Sequence, residues 1–191
     1  MRSAFVAAIP CLAATWALGG LILSLGGSLT ARVLGESSHL AAALPIFVMA
    51  GVSAVASVRV RGASPRATAR GGLVALIAGI ALALAAVAFE SSVMFLAGCA
   101  VAGLGFGPAF AGVFRVLSGL APADQRAALI SSILTVAYLA FSVPAVLAGA
   151  AVTGLGLRET AEIYGAILIG MAGLALALSR TLDDLPVETA I

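Results

Sequence analysis

Residues 59–70 read RVRGASPRATAR. Four arginines, Arg59, Arg61, Arg66 and Arg70, fall within these twelve positions, while the other 179 residues hold six. Long apolar runs lie on both sides. A bilayer retains such clustered basic charge on its cytoplasmic face during insertion. Assigning this one segment to the inside therefore assigns every other loop, by counting crossings.

The composition demands such a reading. Hydrophobic residues make up 62% of the chain and charged residues 9%, with a mean hydropathy of +1.20, whereas soluble domains carry roughly a quarter charged residues. An integral membrane protein is expected, with the lipid bilayer as its first partner. The net charge of +2 comes from arginine alone, without a lysine, and the arginines sit between apolar runs. That pattern is topological, and no nucleic-acid partner is expected.

Cys11 and Cys99 both fall inside apolar runs, where a thiol behaves as a small hydrophobe. With a single histidine, His39, no spaced ligand set exists, so neither a metal nor another cofactor is expected. An intramembrane hydrolase is disfavoured too, because the chain lacks a G-x-S-x-G elbow. No enzyme is expected. The first apolar run is longer than the 7–15 residues of a signal-peptide core, so a retained helix is expected there.

About 20 apolar residues cross a bilayer, and six runs meet that need, at about 5–29, 40–58, 71–89, 93–114, 127–151 and 163–178. The third run has nine Leu, Ile, Val and Phe residues, each favouring insertion by about 0.3–0.6 kcal/mol. The inner loops are the arginine cluster and SGLAPADQR (118–126). The outer ones are 32–39, the turn at Glu90-Ser91-Ser92, and 154–162. Arg2, Arg59, Arg61, Arg66, Arg70, Arg115, Arg126 and Arg180 then lie inside and Arg32 and Arg158 outside. This eight-to-two split assigns both termini to the cytoplasm, with a short acidic tail at 181–191.

IPCLAATWALGGLILSLGGSL in the first run, GLGFGPAFAGVFR in the fourth, APADQRAALISSILTVAYLAFSVPAVLAG into the fifth, and GLGLRETAEIYGA into the sixth together resemble the C-terminal six-helix half of a major facilitator superfamily transporter. The likeness is to the bacterial drug-efflux kind, and it extends over nearly the whole chain. It implies an all-α fold of two inverted three-helix repeats in a bacterial inner membrane. In that family the substrate site lies near the midplane between two halves. The resemblance places spans one, two, four and five on the cavity and spans three and six outside; the lack of polar side chains in the third span agrees. A family member has two halves, so the expectation is a truncated or split transporter, or a half that assembles with a second six-helix half or a second copy of itself.

Several residues are candidates for the cavity. Trp16 stands mid-span, away from the interface that indoles prefer, and offers a ring for stacking. Phe106 and Phe110 share a helix face around Pro108. Tyr138 needs a partner for its hydroxyl in lipid, and Ser142 follows one turn later. Helix packing is the alternative for Trp16 and the phenylalanines, and an interhelical hydrogen bond is the alternative for Tyr138. Gly19, Gly20, Gly103 and Gly107 suit close helix contact, and Pro108 and Pro144 interrupt backbone bonding. Glu90 is expected as a solvated helix end. No Asp, Glu, His or Arg lies deep in any span, so the proton relay of a proton-driven carrier would lie outside this chain.

The function expected is alternating-access transport of a small apolar or amphipathic molecule. The rival expectation is a membrane interaction module that associates with a partner without forming a pathway.

Overall fold

The computed structural model describes residues 2–32, 35 and 38–183, apart from the side chains of 2, 3 and 180–183. Glu36, Ser37, the tail from 184 onward and the side chains of Arg2 and Arg180 lie outside the described residues. All regular structure among those described is helical. Six helices are long and apolar enough to cross a membrane. Their most exposed positions include Leu40, Phe47 and Val93, each about three-quarters exposed or more. A soluble domain rarely leaves so much apolar surface bare.

The first span is composite. Helix α1 (Arg2–Leu21) passes into a π turn (Ile22–Gly26) and then α2 (Gly27–Arg32). Ser24 sits in this π turn and donates its hydroxyl to the Gly20 carbonyl at 2.6 Å. Such single π turns concentrate at functional positions.

The second span is α3 (His39–Arg59) and the third is α4 (Pro65–Ala88). Between them the arginine segment is shorter than its sequence suggests. Ser64 accepts a hydrogen bond from the Ala67 amide at 3.2 Å, and Pro65 takes the first helical position. Both features favour a helix start. Helix α4 thus begins six residues ahead of the predicted span and carries Arg66 and Arg70 on its first turns.

Helix α5 (Ser92–Leu120) forms the fourth span and runs unbroken through Pro108, reaching well past Phe114. The turn before it has Glu90 at φ 53, a left-handed conformation seldom adopted outside glycine. A 3-10 turn (Ala123–Gln125) leads into α6 (Arg126–Leu155). The outer loop expected at 154–162 reduces to a single break at Gly156, whose φ of 88 suits glycine. The last helix, α7 (Leu157–Asp183), therefore includes the first three residues of the expected tail.

The helices pair in a regular way. Helix α1 packs on α6 and α7, and α5 packs on α3 and α4; α1 also meets α5, and α4 meets α7. The closest pair is α4 with α5. At Gly72 and Gly79 an added Cβ would overlap the backbone of Ala109 and Ala102, and at Gly105 and Gly112 it would overlap α4. Small residues permit such close backbone approach. The third span was expected on the outside, yet its glycine face is sealed against α5. Its other face, with Val74, stays open.

Candidate functional site

Three spans converge on Trp16. Its indole meets Phe110 of α5 at 5.6 Å between ring centres, Tyr138 of α6 at 5.7 Å, and Phe141 of α6 at 6.4 Å. All three contacts are edge-on, the geometry favoured by ring quadrupoles. Phe110 continues to Phe114 at 6.0 Å.

The glycine pair one turn above Trp16 makes this meeting possible. A Cβ at Gly19 would lie 3.4 Å from the Phe106 ring and 3.7 Å from that of Phe141, and one at Gly20 would overlap the Phe141 carbonyl. Helices α1 and α6 thus cross at Gly20 with backbones in near contact.

Trp16 and Phe110 are half-buried, whereas Tyr138 is 60% exposed. The indole Nε1 is buried without a hydrogen-bond partner among the described residues. A buried N–H left unpaired costs about 1–3 kcal/mol, and buried tryptophans usually find an acceptor. The aromatic faces can hold a flat or apolar molecule, while the indole N–H is shut off from it by its own burial.

The remaining candidates divide. Phe106 packs beside the cluster at Gly19. Ser142 donates to the Tyr138 carbonyl at 2.7 Å, and Thr135 donates to that of Ser131 at 2.8 Å, so both hydroxyls are satisfied within α6. Ser131, Thr135, Tyr138, Ser142 and Gly149 are all exposed and share one helix face by their spacing. Pro144 lines an apolar cleft between α1, α6 and α7. Pro108 lines a groove between α3, α4 and α5. Gly103 and Gly107 face α3, where an added Cβ would reach the Met49 carbonyl at 2.6 Å and crowd Ser53 and Ser57.

The arginines of 59–70 stand apart from the aromatic cluster. Arg59 lines the α3–α4–α5 groove, and Arg70 donates to the Ser179 hydroxyl at 2.9 Å. Arg115 donates to the carbonyls of Val60, Arg61 and Ala63 and so ties the end of α5 to this turn. On the opposite end Glu90 is not a lone helix terminus. Arg158 pairs with it at 3.5 Å, with Glu162 at 3.1 Å, and donates to the Ala88 carbonyl.

Sequence reasoning passed over Phe141, which looks like any apolar residue of its span. Its spacing of three from Tyr138 was the available signal. It also passed over Tyr164, whose hydroxyl donates to the Ala17 carbonyl at 2.9 Å and joins α7 to α1.

The fold and its aromatic cluster define a helical bundle of the membrane type, six spans thick in sequence and open along α6. No family model, curated protein or solved structure matches the chain.

Proposed function

We propose that the chain is one half of a secondary transporter of the major facilitator type. It sits in a bacterial inner membrane with both ends in the cytoplasm, and the open face around Trp16 forms its side of the substrate path. The observation that carries this reading is the cluster itself: rings from spans one, four and five meet beside an exposed tyrosine and an unpaired buried indole N–H. The helix pairing supports it. Exchanging spans one, two and three for four, five and six turns the α1–α6 contact into the α5–α3 contact, and α1–α7 into α5–α4. Spans three apart run in opposite directions, so this pairing agrees with the inverted repeats of such transporters. The substrate is a small apolar or amphipathic molecule.

Trp16 is the sole tryptophan, so its emission reports on the site directly. Titration of the chain in nanodiscs with planar apolar amines and dyes is expected to quench or shift that emission saturably, and Tyr138→Ala to weaken the effect several-fold. Emission indifferent to every such compound counts against the site.

A second reading follows from the exposed face of α6, the span with the smallest buried share at 17%. On this reading the chain is an interaction module whose α6 face meets a second copy of itself about a two-fold axis along the membrane normal. Gly149 has open space around it, so Gly149→Leu leaves the fold intact while obstructing that face. Crosslinking in nanodiscs is expected to show a dimer that this variant dissolves. A strict monomer, or a dimer indifferent to the change, rejects the self-association.

A further inference from the structure

The groove between α3, α4 and α5, about 670 Å³ in volume, takes no part in the aromatic cluster. Helices α3 and α4 both lean on α5 and part from one another above the turn at 60–64. Gly51 and Gly71, each with open space where a side chain would stand, leave the gap unfilled, and Val52, Val55 and Leu104 make apolar walls. From Gly51 to Arg59 is eight helical residues, about 12 Å at 1.5 Å each. That is close to the thickness of one leaflet, half of a hydrocarbon core of about 30 Å.

Arg59 stands at the end of the groove nearest the turn, exposed, and makes no hydrogen bond or ion pair among the described residues. Arg61 follows two positions later. No carboxylate lines the groove. The cleft between α1, α6 and α7, which corresponds to it when spans one to three are exchanged for four to six, holds about 290 Å³ and has no cation in its lining. The two clefts thus differ in charge where their positions in the fold correspond.

We infer that the α3–α4–α5 groove holds one anionic phospholipid of the inner leaflet, an acyl chain lying along Gly51, Val55 and Gly71 and the phosphate on Arg59. A chain already dissolved in a bilayer gains little by moving into an apolar groove. Selection therefore falls to the headgroup, where one basic side chain at an anionic surface contributes about fivefold in affinity. The inference rests on the membrane reading of the fold and is independent of transport.

The test uses the full chain in nanodiscs of equal phosphatidylglycerol and phosphatidylcholine, with retained lipid read by native mass spectrometry. The wild type is expected to keep phosphatidylglycerol about fivefold in preference. Arg59→Gln should abolish that preference, whereas Arg126→Gln, the same charge loss at another inner loop, should not. Nothing lies within 4 Å of a Cβ at Gly71, so Gly71→Leu fills the groove without disturbing the fold and should release the lipid whatever its headgroup. Glycerol phosphate, which has no chains, should not displace it. Equal retention of the two lipids, identical behaviour of Arg59→Gln and Arg126→Gln, displacement by glycerol phosphate, or retention unaffected by Gly71→Leu overturns the site. A chain that stays out of the bilayer overturns the membrane reading and the lipid site together; one that inserts without preference overturns the lipid site alone.

Discussion

Glycine does two different jobs here, and only its surroundings tell them apart. At Gly79 a methyl group would overlap the backbone of Ala102, which cannot step aside as a flexible side chain would, whereas Gly170 faces open space. Gly79→Ala is accordingly expected to destabilise the bundle by about 1–3 kcal/mol, the usual cost of overpacking. Gly170→Ala should be neutral or slightly stabilising through helix propensity. Thermal unfolding in one detergent compares them; equal melting temperatures would remove the α4–α5 seam as a determinant of stability. Both glycines sit in equally apolar runs, so their difference was invisible beforehand. Trp16 was different, since its mid-span position alone marked it as a candidate. Its neighbours Phe110 and Tyr138 were legible as single candidates, but their meeting was not, because no spacing rule relates residues on separate helices.

Among the elements, the turn between α3 and α4 is held from outside itself. The Arg115 guanidinium spans three carbonyls of the turn just past the end of α3, where the helix dipole favours a cation. The sequence marks Arg115 only as an inner-side charge. Its tertiary role predicts that Arg115→Gln speeds amide exchange across 60–64 by about tenfold, corresponding to roughly 1.4 kcal/mol. That magnitude is modest because two of the three bonds are solvent-exposed. Arg115→Lys should not restore protection, since an ammonium lacks the planar fork. Exchange unchanged in both variants would leave Arg115 as a topological charge alone.

For the whole molecule, the eight-to-two arginine split predicts which ends of the helices face the cytoplasm. Gly62 and Gly154 are exposed with open space around them, and the native Cys11 and Cys99 are buried. Gly62→Cys is expected to react with a membrane-impermeant thiol reagent only after the membrane is opened. Gly154→Cys should react in intact cells. The reverse pattern would invert the topology and move the proposed lipid site to the outer leaflet.

Six apolar spans could be read from the chain because the hydrocarbon core imposes a length and forbids charge, and both constraints are written locally, residue by residue. The arginine bias is equally local, so orientation was open to reasoning as well. Pairing was not. Between helices in lipid, apolar character no longer discriminates, and close approach depends on which glycine meets which backbone. The uniformly apolar third span, expected outside, is therefore half seam and half surface. Folding alone brought Trp16 to Phe110, Tyr138 and Phe141, and Arg115 to the turn 55 residues before it. It also opened the groove above that turn, because α3 and α4 both spend their small-residue faces elsewhere than on each other.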